Sequence, residues 1–419
     1  MTEEAEAPAA VSELLQTPRL PTTLVETDEA LQDLLNALSA NTGPIALDAE
    51  RASGFRYGQK AYLLQVAIKD SRIYLIDPVA TYTPELWQNF ISEVGSSTWI
   101  IHAASQDLPC LTELGIEPSK ILDTELAARL LGLPRVALGT LTEHYLQLRL
   151  AKEHSAVDWS ERPLPDNWLN YAALDVDVLF DLWAAVESNL ADKGKTEIAH
   201  SEFEYLLHPT PKTQKVDRWR SMTGLHEVKD QRDLTIAKSL WLAREELAIE
   251  KDVSPSRLIP DSSIVAAVNE HPKSRSELAS LKSFAGRASR TFIDTWWKAI
   301  EEGTSTKNLV ELRPKATGIP NHRNWPQKFP AAHARLLASK ELLGKISLEQ
   351  EIPQENILSP DALRAICFEP PELTISTVSS FLEKNYVRQW QIELVAAGLV
   401  ETLATQEPEP VTDESNSSV

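Results

Sequence analysis

The sequence predicts a mixed α/β domain with a largely buried sheet, followed by two small all-α domains. Three observations carry that prediction. Apolar strand-like runs alternate with helical periodicity from about residue 23 to 205. Strand signals vanish beyond residue 225. Two stretches of the helical half match at an offset of 99 residues, which implies two small units and not one large one. A chain of 419 residues exceeds one ordinary domain and fits two or three.

The elements follow in order. Residues 1–22 are rich in Glu, Ala and Pro and read as disordered. Residues 23–205 form the α/β domain. In it "IALDAE" and "YLLQVAIK" read as strands, "SRIYLIDP" as a third strand ended by Pro78, and "WIIHA" as a fourth. Helical periodicity follows in "LDTELAARLLG" and in "NWLNYAALDVDVLFDLWAAVES". Residues 206–225 contain Pro, carry basic charge and read as a linker. Residues 226–305 form the first helical domain, opening on the amphipathic "DLTIAKSLWLAREELAIEKD". Residues 306–325 form a second linker, and residues 326–403 the second helical domain. In the repeat, Val253 matches Ile352, Leu258 matches Ile357, Ile264 matches Leu363 and Pro272 matches Pro371. Residues 404–419 are acidic and polar and read as a disordered tail.

Composition narrows the class. Two cysteines, Cys110 and Cys367, exclude a disulfide framework and a Cys-based zinc site, and fit a reducing compartment. The N-terminus lacks the basic-then-apolar order of a signal peptide, and no apolar run reaches the length of a membrane span. The expectation is a soluble cytoplasmic monomer. The net charge of -20 by itself speaks against a nucleic-acid partner. The charge is uneven, however: residues 29–204 carry -13 and residues 205–330 carry +6. Either the acids are solvated surface, or some of them hold cations.

Three places hold candidate chemistry. Asp48 and Glu50 are two apart on a strand, so both project to one face, and two such carboxylates repel unless a cation sits between them. The alternative is a solvated strand end paired with Arg51 or Lys60. In "WIIHAASQDLPCLTEL" a strand ends at His102, and Ser105 caps a helix beginning near Gln106, with Asp107 and Pro109 in its first turn. There Asp107 is either a functional acid or a helix-dipole acid. His102 is either a strand-end packing residue or a substrate contact. Tyr171 and Asp175 are four apart on a helix and share a face. Leu174, Val178 and Leu182 mark its apolar stripe, and Asp177 and Asp181 its wetter side.

Taken together, in this order and spacing, these residues resemble the three motifs of the DEDD superfamily of 3′→5′ exonucleases, and the Tyr resembles its tyrosine-bearing subgroup. "YLLQVA", "LDTELAARLLG" and "KEHSAVDWSERPLP" are similar to bacterial ribonuclease D. The helical copies resemble HRDC domains. The resemblance implies a ribonuclease H-like exonuclease fold, a mixed sheet flanked by helices, followed by two HRDC-type bundles. It implies two divalent ions, Mg²⁺ or Mn²⁺, held by Asp48, Glu50, Asp107 and Asp175. Asp48 would bridge both, Glu50 and Asp175 would hold the one that activates water, Asp107 the other, and Tyr171 would orient the water. The substrate class it implies is RNA with a free 3′ end, such as tRNA precursors. The basic middle of the chain is the candidate RNA surface, with Lys282, Arg287 and Arg290 in and around "SFAGRAS" as phosphate contacts. The more acidic second bundle would pack as an arch over the exonuclease. A DNA 3′→5′ exonuclease and an inactive nucleic-acid-binding scaffold are the competing expectations.

Overall fold

The structure, a computed structural model, describes residues 12–151, 157–208, 217–313 and 318–405. The strands are Glu13–Leu15 (β1), Thr22–Val25 (β2), Ile45–Arg51 (β3), Ala61–Ile68 (β4), Arg72–Ile76 (β5), Thr98–Ile101 (β6), Lys120–Asp123 (β7) and Leu148–Leu150 (β8). Six of them form one mixed sheet in the order β2-β5-β4-β3-β6-β7. β4 runs antiparallel to both β3 and β5, and the other neighbours are parallel. β1 and β8 pair separately, in parallel. β4 lacks hydrophobic alternation, and all eight of its residues are buried, as in a strand covered on both faces.

Two helical layers cover the sheet. Asp28–Ala40 (α1), Pro84–Ser96 (α2) and Ala104–Glu113 (α3) bury Leu31, Leu34, Phe90, Val94 and Leu111 against Ile45, Leu47 and Ala49. On the other face lie Thr124–Leu130 (α4), Leu138–Leu146 (α5), Asp166–Asp177 (α6), Leu179–Asp192 (α7) and Thr196–Leu207 (α8). They share a core with Ala46, Leu63, Ala67 and Ile100. The period-2 pattern of β3 is thereby split between two layers.

Helices build the rest of the chain. Gln231–Lys251 (α9), Pro255–Leu258 (α10), Asp261–Glu270 (α11), Arg275–Ser280 (α12), Arg287–Thr291 (α13) and Ile293–Ser305 (α14) enclose Trp219, Leu240, Phe284 and Trp296. Trp325–Lys328 (α15), Pro330–Gln350 (α16), Gln354–Ile357 (α17), Pro360–Phe368 (α18), Ile375–Lys384 (α19) and Gln389–Ala404 (α20) follow. The repeat is visible in three dimensions. α9 and α16 are both 21 residues long and begin 99 residues apart. Each ends on a left-handed non-glycine residue, Asp252 (φ 48°) and Glu351 (φ 50°). The second bundle shares its core with the α4–α8 layer, so it is welded to the α/β domain. Glu202 of α8 accepts from Arg388 Nε at 2.6 Å and Trp390 Nε1 at 2.9 Å.

Several local expectations differ from what the structure shows. Within the segment read as disordered, residues 12–22 carry β1, the start of β2 and the anchored Arg19, while residues 1–11 lie outside the described residues. Arg19 Nε and Nη2 bind the carboxylate and carbonyl of Asp177 at 2.8 and 2.7 Å, so Asp177 is buried and not on a wet face. The long helical run breaks at Val178 into α6 and α7. Short β1, β2, β7 and β8 carry too few residues to show a period. Trp219 and Trp325, inside the expected linkers, are fully packed. The tail from 406 to 419 lies outside the described residues.

Candidate active site

β3 delivers the first pair of acids. Leu47 and Ala49 enter the α1–α3 core, so Asp48 and Glu50 face the opposite layer, where α6 crosses. Tyr171 and Asp175 come from one face of α6. Carboxylate oxygens of Asp48, Glu50 and Asp175 lie within 4.8 Å of one another. A cavity of about 470 Å³ joins these three with Tyr171, Asp107 and His102.

Asp107 arrives on α3, whose start is set by another strand. Ala103 is left-handed (φ 61°) and offers no side-chain cap. Asp123, at the end of β7, accepts the N–H of Ala103 at 3.1 Å and of Ala104 at 2.9 Å. The same carboxylate caps α4 through the N–H of Glu125 and Leu126. The helix thus begins at Ala104 and not near Gln106, Ser105 is not its cap, and Pro109 falls in its second turn.

Arg51 is the cation of the cluster, but not in the expected pairing. A β-bulge shifts the register between Glu50 and Arg51 and re-aims the end of β3. Arg51 Nη2 then lies 3.3 Å from Asp107 Oδ1. Lys60 sits over the ring of Tyr62, 5.9 Å from its centroid. Arg51 therefore bears on Asp107, one step away from the Asp48–Glu50–Asp175 group.

The electrostatics are those of acids held close with too little positive charge. Burial raises Asp48 to about 6, opposed by the N–H of Ala49 and by Arg51. Burial and then the charge of Asp48 raise Asp107 to about 8, with Arg51 opposing the shift. Burial first, then the neighbouring carboxylates, push Glu50 and Asp175 well above the usual carboxylate range. Burial and the charges of Asp175 and Glu50 raise Tyr171 above its usual value, and its hydroxyl bonds to Asp175. A set of hard oxygen donors whose charge the protein leaves uncompensated fits a divalent cation of the Mg²⁺ or Mn²⁺ type.

His102 lines the cavity, with Nδ1 2.9 Å from Thr124 Oγ1. The Thr124 hydroxyl donates to Ile101 O at 3.3 Å, so it accepts from Nδ1–H and leaves Nε2 as the acceptor of the ring. Lys282, Arg287 and Arg290 are exposed on the first bundle and do not line the cavity. Sequence reasoning missed Arg51 as a partner of Asp107 and missed Asp123 as the anchor of α3. Both depend on a register shift or a strand too short to announce itself.

Comparison with known proteins extends these observations. Residues 22–191 match the model of a 3′-5′ exonuclease family, residues 233–300 that of the HRDC domain, and residues 318–403 that of a 3′ to 5′ exonuclease C-terminal domain. A ribonuclease D from Nitrobacter hamburgensis is 32% identical over 270 residues, which are 64% of this chain and 68% of that protein. One from Bartonella henselae is 26% identical over 331 residues, 78% of this chain and 79% of that protein. A crystal structure of a Bifidobacterium adolescentis protein superposes with a TM-score of 0.83 at 34% identity, covering 94% of this chain and 100% of that one. Escherichia coli RNase D, described as an exoribonuclease involved in structured RNA processing, shares the fold. Its TM-score is 0.65 at 24% identity, over 92% of this chain and 99% of that one.

Proposed function

The chain belongs to the ribonuclease D family, and we propose that it trims RNA from the 3′ end with Asp48, Glu50, Asp107, Asp175 and Tyr171 as its catalytic set. It is a 3′→5′ exoribonuclease of a metal-dependent exonuclease fold. The observation that carries the residue assignment is the three-carboxylate group within 4.8 Å, roofed by Tyr171. Asp48, Glu50 and Asp175 would hold divalent cations there, two Mg²⁺ or Mn²⁺ in our reading, and Asp107 would complete the second site. Bound, such ions polarise the scissile phosphate and acidify water. The chain's own part is orientation. Tyr171, whose hydroxyl bonds to Asp175, would align the attacking water by hydrogen bonding. Arg51 limits the repulsion around Asp107. Neutral His102 offers Nε2 to a hydroxyl of the terminal ribose.

We place the enzyme in the cytoplasm as a monomer acting on tRNA precursors and other structured RNAs. No helix of the described residues is long and apolar enough to cross a membrane. Lys282, Arg287 and Arg290 supply phosphate contacts at a distance from the bond being cut. The test is degradation of 3′- and 5′-labelled single-stranded RNA and of matched DNA, with Mg²⁺, Mn²⁺ or EDTA. We expect stepwise shortening of RNA from its 3′ end that requires metal. Asp48→Asn should lower the rate at least about a thousand-fold, as expected for losing several kcal/mol of charge stabilisation. Metal should raise the melting temperature of the wild type and not of Asp48→Asn. Undiminished activity in EDTA or in Asp48→Asn would sink the metal assignment, and faster loss of DNA than RNA would overturn the substrate class.

A further inference from the structure

The N-terminal strand β1 lies before residue 22, where the match to the exonuclease family begins. It is nevertheless built into the wall beside the active site. Glu13, Leu14 and Leu15 pair with Leu148, Arg149 and Leu150 of β8. Ser12 Oγ donates to Glu143 Oε1 at 2.9 Å, and Asn170 Nδ2 donates to Gln16 O at 2.7 Å. Arg19 then pins the segment to Asp177 and Asp181.

This placement creates a second cavity of about 270 Å³ between β1 and α6. Leu14 and Gln16 line it from one side, and Asn167, Asn170 and Tyr171 from the other. The α6 residues share one helical face through their spacing of three and four. Tyr171 and Ala151 border both this cavity and the active-site cavity, so the two spaces adjoin. Leu14 is 40% exposed and lines this cavity. A single exposed leucine is ordinary on a surface. Here it provides an apolar plate beside side-chain amides, the combination that takes a flat heterocycle with polar edges.

We propose that β1 and α6 form a nucleobase pocket, in which Leu14 packs on an unpaired base next to the phosphodiester bond being cut. The proposal rests on the exoribonuclease reading above and adds to it a specificity element. A base must leave its stack to enter, so the pocket favours single-stranded 3′ ends over paired ones.

The test uses the full-length Asp48→Asn chain and measures binding to a single-stranded RNA 12-mer by fluorescence anisotropy. The RNA is either intact or abasic at its last, second-last or third-last position. We expect removal of one base to weaken binding about tenfold at one of these positions, in line with base packing. Adding Leu14→Ala should shrink that penalty below about twofold, and Leu14→Phe should restore it. Leu14 is half-exposed, so both variants should melt within about 2 °C of their parent. No abasic penalty at any position overturns the proposal. So does a penalty that survives Leu14→Ala, or failure of the Asp48→Asn chain to bind the intact RNA. RNA cleavage by the wild-type chain is scored separately and tests the exoribonuclease reading, which stands or falls without the binding result.

Discussion

At His102, burial and one hydrogen bond set the protonation state of a ring that borders the active-site cavity. Burial lowers its pKa to about 4, while Glu125 raises it and Arg129 lowers it by smaller amounts. The ring is therefore neutral throughout the range in which an unfolded histidine, near 6.5, titrates. The folded state binds fewer protons than the unfolded state between those two values. The contribution of His102 is complete above pH 6.5 and is lost as pH falls toward 4. At pH 4.5 that cost is roughly 2–3 kcal/mol, from 1.36 kcal/mol per pKa unit. We expect His102→Gln, which cannot titrate, to lose less stability than wild type between pH 7 and 4.5 in urea unfolding with EDTA present. Equal losses in the two proteins would show that His102 is not the group that carries this acid sensitivity.

At the scale of elements, Asp123, at the junction of β7 and α4, ties the first turn of α4 to the first turn of α3, 19 residues earlier in the chain. Its carboxylate accepts four main-chain N–H groups at 2.8–3.1 Å. Asp123→Ala orphans those donors, at a cost of about 3–5 kcal/mol after partial rehydration. α3 carries Asp107, so metal should also bind more weakly to this variant, measured by calorimetry below its melting temperature. Asp123→Asn, which keeps an acceptor oxygen, should fall between. The contrast with the proposed catalytic set shows what a sequence makes legible. Asp48 and Glu50 announce themselves because a strand period of two interrupts an apolar run with charge, and Tyr171 and Asp175 because a helix repeats at four. Asp107 is ambiguous alone and gains meaning only from the other four. Arg51 was invisible as its partner because a bulge, not a period, aims it. β1 was hidden because three residues show no alternation and its stability comes from β8, whose paired residues lie 135 positions away. Asp177 reads as wet from its helix position, yet Arg19 buries it from a segment whose composition suggests disorder.

At the scale of the whole molecule, both helical bundles grip the exonuclease domain, and they do so differently. The C-terminal bundle fuses its core with the α4–α8 layer and approaches closely. A Cβ at Gly132 (φ +78°) would stand 2.4 Å from Glu351 O, and Lys195 Nζ donates to Leu130 O and Glu351 O at 2.7 and 3.1 Å. The HRDC bundle instead holds the loop that leaves β3 after Asp48 and Glu50. Arg257 donates from Nε to Gly54 O at 2.8 Å and lies 4.0 Å from the Phe55 ring centroid. The Ser254 N–H bonds Phe55 O at 2.9 Å, and the Tyr57 hydroxyl bonds Glu245 at 3.1 Å. The HRDC bundle thus braces the strand end that carries Asp48, Glu50 and Arg51. Arg257 is exposed, so Arg257→Ala removes a brace without opening a core. We expect single-turnover RNA cleavage at saturating enzyme to slow about three- to thirty-fold, since small misplacements of reacting groups are costly, while the melting temperature stays within about 2 °C. Arg257→Lys should recover only part of the rate, because an ammonium lacks the planar face that stacks on Phe55. If saturating enzyme restored the wild-type rate to Arg257→Ala, the bundle would be acting through RNA affinity alone and the brace would have no catalytic consequence.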